Sequence, residues 1–229
     1  MEKILFRWPG QQEDTLDIPS FSLSACEHVF ISGPSGSGKS TLLGLMAGIL
    51  IPQSGSITVN GVRLNELGTM QRDIFRGDYI GYIFQQFNLI PYLSILENVL
   101  IPCQFSPVRY NRVCQQVGSP IAGAKMLLER LDLSASLWSR SVKKLSIGQQ
   151  QRVAAARALI GQPRVLIADE PTSSLDTDRR KAFLSLLLEE CREAGTSLLF
   201  VSHDQNLAEN FSRVVHLPEL NQAVGEVER

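Results

Sequence analysis

Residues 33–41 carry the pattern that most constrains what this chain can fold into. They read GPSGSGKST, fill the phosphate-loop pattern G-x-x-x-x-G-K-[ST], and hold three glycines within six residues. That spacing lets the backbone curl until several N–H groups and a helix N-terminus converge on one anion. An ordinary Gly/Ser turn is the alternative, but apolar residues 29–31 predict a buried strand before the loop and residues 42–47 predict a helix after it. The pattern therefore predicts nucleotide binding, with Lys39 at the outer phosphates and Ser40 on Mg²⁺.

Composition limits the class of protein. The chain has 229 residues, of which 44% are hydrophobic and 20% charged, and its formal net charge is -1. These values are typical of a soluble globular protein, and a near-neutral charge does not favour a nucleic-acid-binding surface. The longest apolar run, residues 42–51, is ten residues long and too short to span a bilayer. Four scattered cysteines without a C-x-x-C pair predict reduced, mostly buried thiols in a cytosolic protein.

Short apolar segments alternate along the chain with segments of helical periodicity. The predicted strands are 3–8, 15–24, 29–31, 56–59, 78–84, 165–168, 197–201 and 213–217. The predicted helices are 42–47, 95–100, 122–131, 146–160 and 176–194, with a short helix after His203. Residues 62–77 are mixed and polar, and the segment from Pro218 onward has the character of a short loose tail.

Residues 87–145 differ from their surroundings, since four prolines separate stretches with helical periodicity. The later strands are wholly apolar, which indicates a parallel sheet covered on both faces. The sequence therefore predicts an α/β fold of the P-loop NTPase type, with a mostly parallel sheet core, an antiparallel β subdomain and an inserted helical lobe. We expect a single domain over residues 1–229, with the core and β subdomain in 1–86 and 146–229 and the helical lobe in 87–145.

Two adjacent carboxylates follow the apolar run VLIA, at the end of a predicted core strand. Ligands of open parallel sheets lie at the carboxyl ends of the strands, so these side chains should approach the phosphate loop. We expect Asp169 to hold Mg²⁺ through water and Glu170 to act as general base toward the attacking water. The alternative is that both residues simply begin a solvated loop.

Two other polar residues follow predicted core strands. His203 comes after LLFVS and would hydrogen-bond the γ-phosphate, although a histidine in a loop can also merely cap a helix. Gln85 comes after DYIGYIF and would orient water and contact Mg²⁺, although it can equally be a surface glutamine.

Residues 145–149, which read LSIGQ, indicate a second anion-binding helix start. Ser146 is a good N-cap, and the nearby Gly148 allows close approach of a ligand. One chain has little use for two phosphate-facing helix starts on separate lobes. Two copies packed head to tail would have such a use.

The order of these motifs resembles that of the nucleotide-binding subunit of an ABC transporter, over nearly the whole chain. The six motifs are GPSGSGKST (Walker A), FQQFNLIP (Q-loop), LSIGQQQRVAAARAL (signature), VLIADEP (Walker B), SSLD (D-loop) and VSHD (H-loop). Any one of them is weakly or moderately specific. Six motifs in order and at ordinary spacing leave little room for chance.

The resemblance implies a role for each matching position. The residues that would bind the phosphates of ATP are Gly33, Pro34, Ser35, Gly36, Ser37, Gly38, Lys39, Ser40 and Thr41. The metal partners would be Ser40, Gln85 and Asp169, and the catalytic residues would be Glu170, His203 and Gln85. Ser146 and Gly148 would close over the nucleotide of the opposite subunit, and Asp176 would cross the dimer interface.

Two positions carry open questions. The family usually stacks adenine on an aromatic residue about thirty positions before the lysine, where Trp8 stands and Phe6 is the rival. The most common signature is LSGGQ, and here Ile147 replaces the first glycine. If that position required a positive φ, a β-branched residue would cost at least ~1 kcal/mol. The serine and the second glycine carry the family's contacts, so we expect activity.

The resemblance implies a homodimer that binds two Mg²⁺-ATP and drives a membrane permease. No span is evident in the sequence, so we expect the permease to be a separate chain and this subunit to lie in the cytoplasm, on the inner face of the membrane. The expected docking surface is 87–93 with the adjoining helical lobe, which would expose Phe87, Leu89 and Tyr92. The alternative is that these three residues pack the lobe onto the core. No nucleic-acid partner is expected.

The subfamily is left open by the sequence. The Q-loop and the IADEPTSSLD run are similar to those of the macrolide-export and lipoprotein-release group, which would make the protein exporter-like or mechanically acting. The glutamines at 149–151 are closer to polar amino-acid importers. A non-transport ABC ATPase and an inactive regulatory subunit are further alternatives, and the latter is disfavoured by the intact Lys39, Glu170 and His203.

Overall fold

The computed structural model describes residues 1–223. The strands are β1 (Glu2–Phe6), β2 (Leu16–Ser20), β3 (His28–Ser32), β4 (Ser54–Ser56), β5 (Thr58–Val59), β6 (Val62–Arg63), β7 (Ile80–Ile83), β8 (Val165–Asp169), β9 (Ser197–Val201) and β10 (Arg213–His216). The α-helices are α1 (Lys39–Met46), α2 (Thr69–Tyr79), α3 (Ile95–Phe105), α4 (Pro107–Val117), α5 (Pro120–Arg130), α6 (Ile147–Leu159), α7 (Thr177–Ala194) and α8 (Leu217–Leu220). Short 3₁₀ turns lie at Leu64–Glu66, Ala135–Leu137, Val142–Lys144 and Gln205–Asn210.

The central sheet has five strands in the order β10-β3-β9-β8-β7, and every neighbouring pair is parallel. All five residues of β3 and of β9 are buried. Parallel strands of this kind need cover on both faces, which explains their unbroken apolar sequences. The predicted parallel core is confirmed.

The two faces of the central sheet carry separate apolar clusters. Phe30, Leu166 and Phe200 belong to the cluster that includes α6, α7 and the three helices α3–α5. The alternate residues of the same strands belong to the cluster that includes α1 and the antiparallel sheet β2-β1-β4. Side chains alternate between the two faces along each strand. The helical segment (helices α3–α5) therefore packs on one face of the central sheet, and the antiparallel sheet packs on the other.

Some segments differ from their sequence predictions. Residues 107–117 form α4, which is not among the predicted helices, and residues 78–79 end α2 and do not begin a strand. Residues 62–77 hold β6 and most of α2, a helix in which Phe75 is the only buried residue, so its apolar period is too sparse to be detected. The segment from Pro218 is not loose at its start, because Asn221 is buried and its side chain bonds the backbone of Thr15 and Asp17. Residues 224–229 of that predicted tail lie outside the described residues.

The burial of the four cysteine side chains is also less uniform than predicted. All four cysteines are free, and two of them, Cys103 and Cys191, are buried. Cys114 is half-buried, and Cys26 is exposed.

A buried arginine on α4 ties the helical segment to the sheet. The Arg109 side chain is 2% exposed and donates hydrogen bonds to the carbonyls of Ile80, Ala158 and Ile160. Two of these carbonyls lie at the C-terminal end of α6, where no intrahelical donor is available. Gly161, at φ +73°, allows the approach, since a Cβ there would lie 2.5 Å from the Arg109 Cβ. Burial lowers the pKa of Arg109 to about 10, so it stays charged at neutral pH.

We expect Arg109→Met to lower the free energy of unfolding by about 2 kcal/mol, because buried carbonyls would lose their donors while the desolvation cost of the charge is relieved. Urea denaturation measures the change. The control is Arg63→Met, which removes an exposed pair with Glu66 and should cost under ~0.5 kcal/mol. Equal stability of the two variants would contradict the role of Arg109.

Candidate nucleotide-binding site

The phosphate loop connects β3 to α1, as the sequence predicts. Gly38 is the N-cap of α1 at φ 93°, a left-handed conformation that non-glycine residues rarely adopt. A Cβ at Gly38 would also lie 2.8 Å from Leu16 Cδ2. Lys39 Nζ donates to the carbonyls of Gly33 (2.8 Å) and Pro34 (2.7 Å), which holds the ammonium group over the loop.

The ends of β3, β8 and β9 lie level with one another. Val201 pairs with Ile31 on one side and with Asp169 on the other. The residues that follow these three strands therefore come out at the same edge of the sheet, as the parallel topology predicts.

Asp169 lies beside the first turn of α1. Ser40 Oγ is 3.4 Å from Asp169 Oδ2, which is a long and weak hydrogen bond. Burial is the largest cause that raises the pKa of Asp169, followed by the charge of Glu170, while Ser40 and Lys39 act in the opposite direction. A hydroxyl and a carboxylate at this spacing form a hard-oxygen pair of the kind that binds Mg²⁺.

Glu170 is held in an unusual backbone conformation. Its φ is 43°, in the left-handed region, and its N–H donates to the carbonyl of Val201 at 3.0 Å. Glu170 Oε2 lies 2.8 Å from His203 Nδ1. A left-handed glutamate costs of order 1–3 kcal/mol, and such strain concentrates at functional sites.

These residues share a cavity of about 940 Å³. Of the positions predicted from sequence, those that line it are Trp8, Ser35, Gly36, Gly38, Lys39, Ser40, Thr41, Gln85, Asp169, Glu170 and His203. The predicted positions that do not line it are Gly33, Pro34, Ser37, Ser146, Gly148 and Asp176. Ser37 is 7% exposed, and its Oγ is buried without a hydrogen-bond partner.

The two aromatic candidates for a stacking platform lie in different environments. Trp8 is 40% exposed and lines the cavity, because β1 ends at Phe6 and leaves Trp8 in the following loop. Phe6 is 4% exposed in the core and supports Trp8 edge-on, with ring centroids 5.2 Å apart. Of the two rings, that of Trp8 is accessible from the cavity.

The signature segment is a helix start, as predicted. Ser146 caps α6 and accepts a hydrogen bond from the Gln149 N–H, while Gln149 Oε1 accepts from the Ser146 N–H. This reciprocal capping box gives Gln149 a structural role. Ile147 is the first residue of α6, does not have a positive φ and is 50% exposed, so the strain considered for the LSIGQ sequence does not arise.

Sequence reasoning missed one group of residues at this site and one contact outside its lining. Residues 11–15 line the cavity beside Trp8, and only their polarity marked them. Arg157 of α6 donates to the carbonyls of Phe87 and Asn88, two consecutive left-handed residues with φ of 59° and 47°. Its position inside a helical pattern carries no signal of a contact made 70 residues away in sequence.

Comparisons with known proteins agree with this geometry. The profile of the ABC transporter family matches residues 16–173. The lipoprotein-releasing system ATP-binding protein LolD of Acinetobacter baylyi is 38% identical over 201 residues, which cover 87% of this chain and 85% of LolD. The macrolide export ATP-binding/permease protein MacB of Rhodopirellula baltica is 36% identical over 87% of this chain but only 28% of MacB.

A solved structure extends the likeness to three dimensions. It is the dimeric, post-hydrolysis state of the ATP-binding cassette MJ0796 of Methanocaldococcus jannaschii, bound to ADP and Pi. It is 32% identical with a TM-score of 0.79, and the match covers 100% of this chain and 95% of the other. Together with the cavity formed by the phosphate loop, Asp169, Glu170 and His203, these matches show that the chain belongs to the ABC transporter family, as an ATP-hydrolysing, ATP-binding subunit of the LolD and MacB group.

Proposed function

We propose that two copies of this chain hydrolyse Mg²⁺-ATP at composite sites and thereby drive a membrane permease. The observation that carries the proposal is the single cavity in which the phosphate loop meets the hydrogen-bonded Glu170–His203 pair. A phosphate-binding loop beside a carboxylate held by a histidine has the two parts that phosphoryl transfer to water requires, namely charge neutralisation and a proton acceptor.

The phosphate loop would bind the triphosphate. Backbone N–H groups at the start of α1 would donate to phosphate oxygens, and Lys39 would exchange its two carbonyl acceptors for the outer phosphates. Trp8 would stack on the adenine, since it is the accessible ring at the cavity. We assign Ser35, Gly36, Gly38, Ser40 and Thr41 to the same phosphate contacts, since they line the cavity. Gly33, Pro34 and Ser37 do not line it, and we propose that they shape the loop.

Glu170 would accept a proton from the attacking water as the water adds to the γ-phosphorus and the bond to the β-phosphate oxygen breaks. His203 holds the Glu170 carboxylate through Nδ1 and would contact the γ-phosphate with its other nitrogen. A neutral imidazole has one N–H, so a His203 that donates to both partners at once would be the imidazolium form.

The residues present fit a magnesium ion. The Ser40 hydroxyl and the Asp169 carboxylate are adjacent hard-oxygen donors, and the Gln85 amide lines the same cavity. These three would hold the ion, directly or through water. When bound, Mg²⁺ would supply positive charge to the β- and γ-phosphate oxygens.

The second half of each site would come from another copy. Ser146, Gly148 and Asp176 lie away from the cavity of their own chain, at the starts of α6 and α7. The MJ0796 structure is dimeric with bound ADP and Pi. We propose the same kind of dimer here, in which Ser146 and Gly148 face the nucleotide of the partner and Asp176 crosses the interface.

We propose a membrane partner because the chain belongs to the LolD and MacB group. Among residues 1–223, no helix has both the length and the apolar character needed to cross a bilayer. We propose a separate permease and a position on the cytoplasmic face of the membrane, and we favour export or mechanical action because LolD and MacB are the named relatives. An amino-acid importer remains the second candidate because of the glutamines at 149–151.

The proposed docking surface is narrower than the sequence predicts. Tyr92 is 80% exposed, but Phe87 is only 7% exposed and Leu89 packs against the apolar cluster. The prediction that Phe87 is exposed is therefore wrong, because its ring packs in the apolar cluster that includes α3–α7. We assign the permease contact to Tyr92 and the adjoining surface of the proposed helical lobe, residues 87–145.

Two variants separate nucleotide binding from closure. We expect Lys39→Ala to weaken ATP binding by up to about 100-fold, since charged hydrogen bonds contribute up to about 3 kcal/mol. We expect Ser146→Arg to bind ATP within about twofold of wild type but to lose about 100-fold in turnover, because the arginine blocks closure. Fluorescent-nucleotide titration and phosphate release measure the two effects.

The control for Ser146→Arg is Ser136→Arg, which puts the same side chain on an exposed 3₁₀ turn of the helical segment. Normal hydrolysis by Ser146→Arg would exclude the two-chain site.

Glu170→Gln should keep the shape of the side chain but lose the proton acceptor. We expect turnover to fall by about 10²–10³-fold and an ATP-dependent dimer to accumulate. Size-exclusion chromatography with light scattering detects the dimer. A variant that stays monomeric with ATP, together with a wild-type chain that hydrolyses nothing, would rule out the proposed enzyme mechanism.

Tyr92→Ala should weaken binding to the permease by about tenfold or more, as expected for an aromatic residue at an interface centre. Turnover of the isolated subunit should not change. Binding to permease-containing nanodiscs measures the effect, and Val214→Ala is the control, since Val214 is exposed on β10 at the opposite edge of the sheet from β7. Equal permease binding by both variants would show that the docking surface does not include Tyr92.

A further inference from the structure

Arg180, in the first turns of α7, connects two of the loops that surround the cavity. Its Nε donates to the carbonyl of Leu175 at 2.7 Å, and its Nη1 donates to Asp204 Oδ2 at 2.8 Å. The side chains of the ion pair are 24% and 14% exposed for Arg180 and Asp204, so water screens the pair less than it screens a surface pair. A guanidinium group suits this task because its planar fork serves two acceptors at once.

Asp204 in turn fixes the backbone around His203. Its N–H donates to Ser202 Oγ at 3.1 Å, and its Oδ1 accepts from the N–H and the side-chain amide of Asn206. The hydrogen bond from Arg180 is the largest cause that lowers the pKa of Asp204, so the carboxylate is ionised at neutral pH. His203 is thus flanked by anchored residues on both sides.

Glu170 links His203 back to the segment that holds Leu175, so the contacts form a ring. His203 Nδ1 contacts Glu170 Oε2, and the chain from Glu170 to Leu175 is held by two turns. In these turns the Ser173 N–H donates to the Glu170 carbonyl and the Leu175 N–H donates to the Thr172 carbonyl. A ring of contacts therefore runs from Glu170 through Leu175, Arg180, Asp204 and His203 back to Glu170.

We propose that Arg180 is a positioning residue for hydrolysis, which transmits the position of the 173–176 segment to His203 and so sets the geometry of the Glu170–His203 pair. The proposal rests on the proposed role of that pair and on the position of Asp176, adjacent to Leu175, at the dimer interface. Arg180 touches neither Glu170 nor His203 through a hydrogen bond, so it acts through Leu175 and Asp204.

A purely stabilising role for Arg180 predicts a different result. Arg180→Met would then lower the melting temperature and leave turnover unchanged well below that temperature. A positioning residue changes kcat while the KM for ATP stays constant, because binding by the phosphate loop does not pass through the ring.

The test compares Arg180→Met with Lys181→Met, which neutralises an exposed neighbour on the same helix. We expect Arg180→Met to lower kcat about tenfold with the KM for ATP within about twofold, and Lys181→Met to match wild type. Arg180→Lys should recover only part of kcat, since one ammonium group cannot serve both acceptors in the same geometry.

A second measurement asks whether Arg180 and Asp204 act through the same contact. Asp204→Asn keeps the cap on Asn206 but removes the charge. The double variant with Arg180→Met should then lose no more kcat than Arg180→Met alone, whereas independent roles would multiply the two losses. In a Glu170→Gln background, Arg180→Met should still form the ATP-dependent dimer.

Three outcomes would overturn the inference: kcat of Arg180→Met equal to that of Lys181→Met, losses that multiply in the double variant, or loss of the dimer. Failure of the proposed function is distinguishable, because a wild-type chain without ATPase activity would remove the Glu170–His203 role itself. An active wild type with an unaffected Arg180→Met would remove only the role of Arg180.

Discussion

The parallel pairing of β3, β9 and β8 is the constraint on which the site depends. Val201 pairs with Ile31 and with Asp169, so the chain leaves the three strands at the same level. The positions of the phosphate loop, the Asp169–Glu170 carboxylates and His203 are consequences of that register, since each lies at the end of its strand or shortly after it. A slip of one residue in any of these strands would turn its apolar side chains to the wrong face, and the two apolar clusters oppose such a slip.

Three of the eight non-glycine residues with positive φ in residues 1–223 lie where the chain leaves this sheet. Glu170 has a left-handed conformation after β8, and Phe87 and Asn88 have left-handed conformations a few residues after β7. Each would relax if its surroundings allowed it. The hydrogen bond from Glu170 to Val201 and the two from Arg157 to residues 87 and 88 hold these conformations in place. Stability from the core is thus used to hold side chains in positions that the local sequence does not favour.

Arginines make many of the connections between elements. Arg109 joins the helical segment to the sheet, Arg157 joins α6 to residues 87–88, and Arg180 joins α7 to the loop after β9. Each donates to backbone carbonyls at the end of a helix or in a turn, where acceptors outnumber donors. No local sequence pattern predicts these contacts, because the partners are far apart along the chain. Arg180 and Asp204 are 24 residues apart, and Arg157 and Phe87 are 70 residues apart.

The sequence by itself determined the phosphate loop, the order of the strands along the chain and the polar residues that follow them, because glycine spacing and apolar runs are local properties. It also predicted the capped start of α6 at Ser146, since an N-cap is satisfied within one turn. Tertiary structure alone decided that Trp8 and not Phe6 is accessible from the cavity, that Phe87 is buried, and that α2 forms around one buried residue. Each of these outcomes depends on which surfaces meet in space. For the same reason the Glu170–His203 contact was expected only as proximity, while its geometry and the arginine contacts around it required the folded chain.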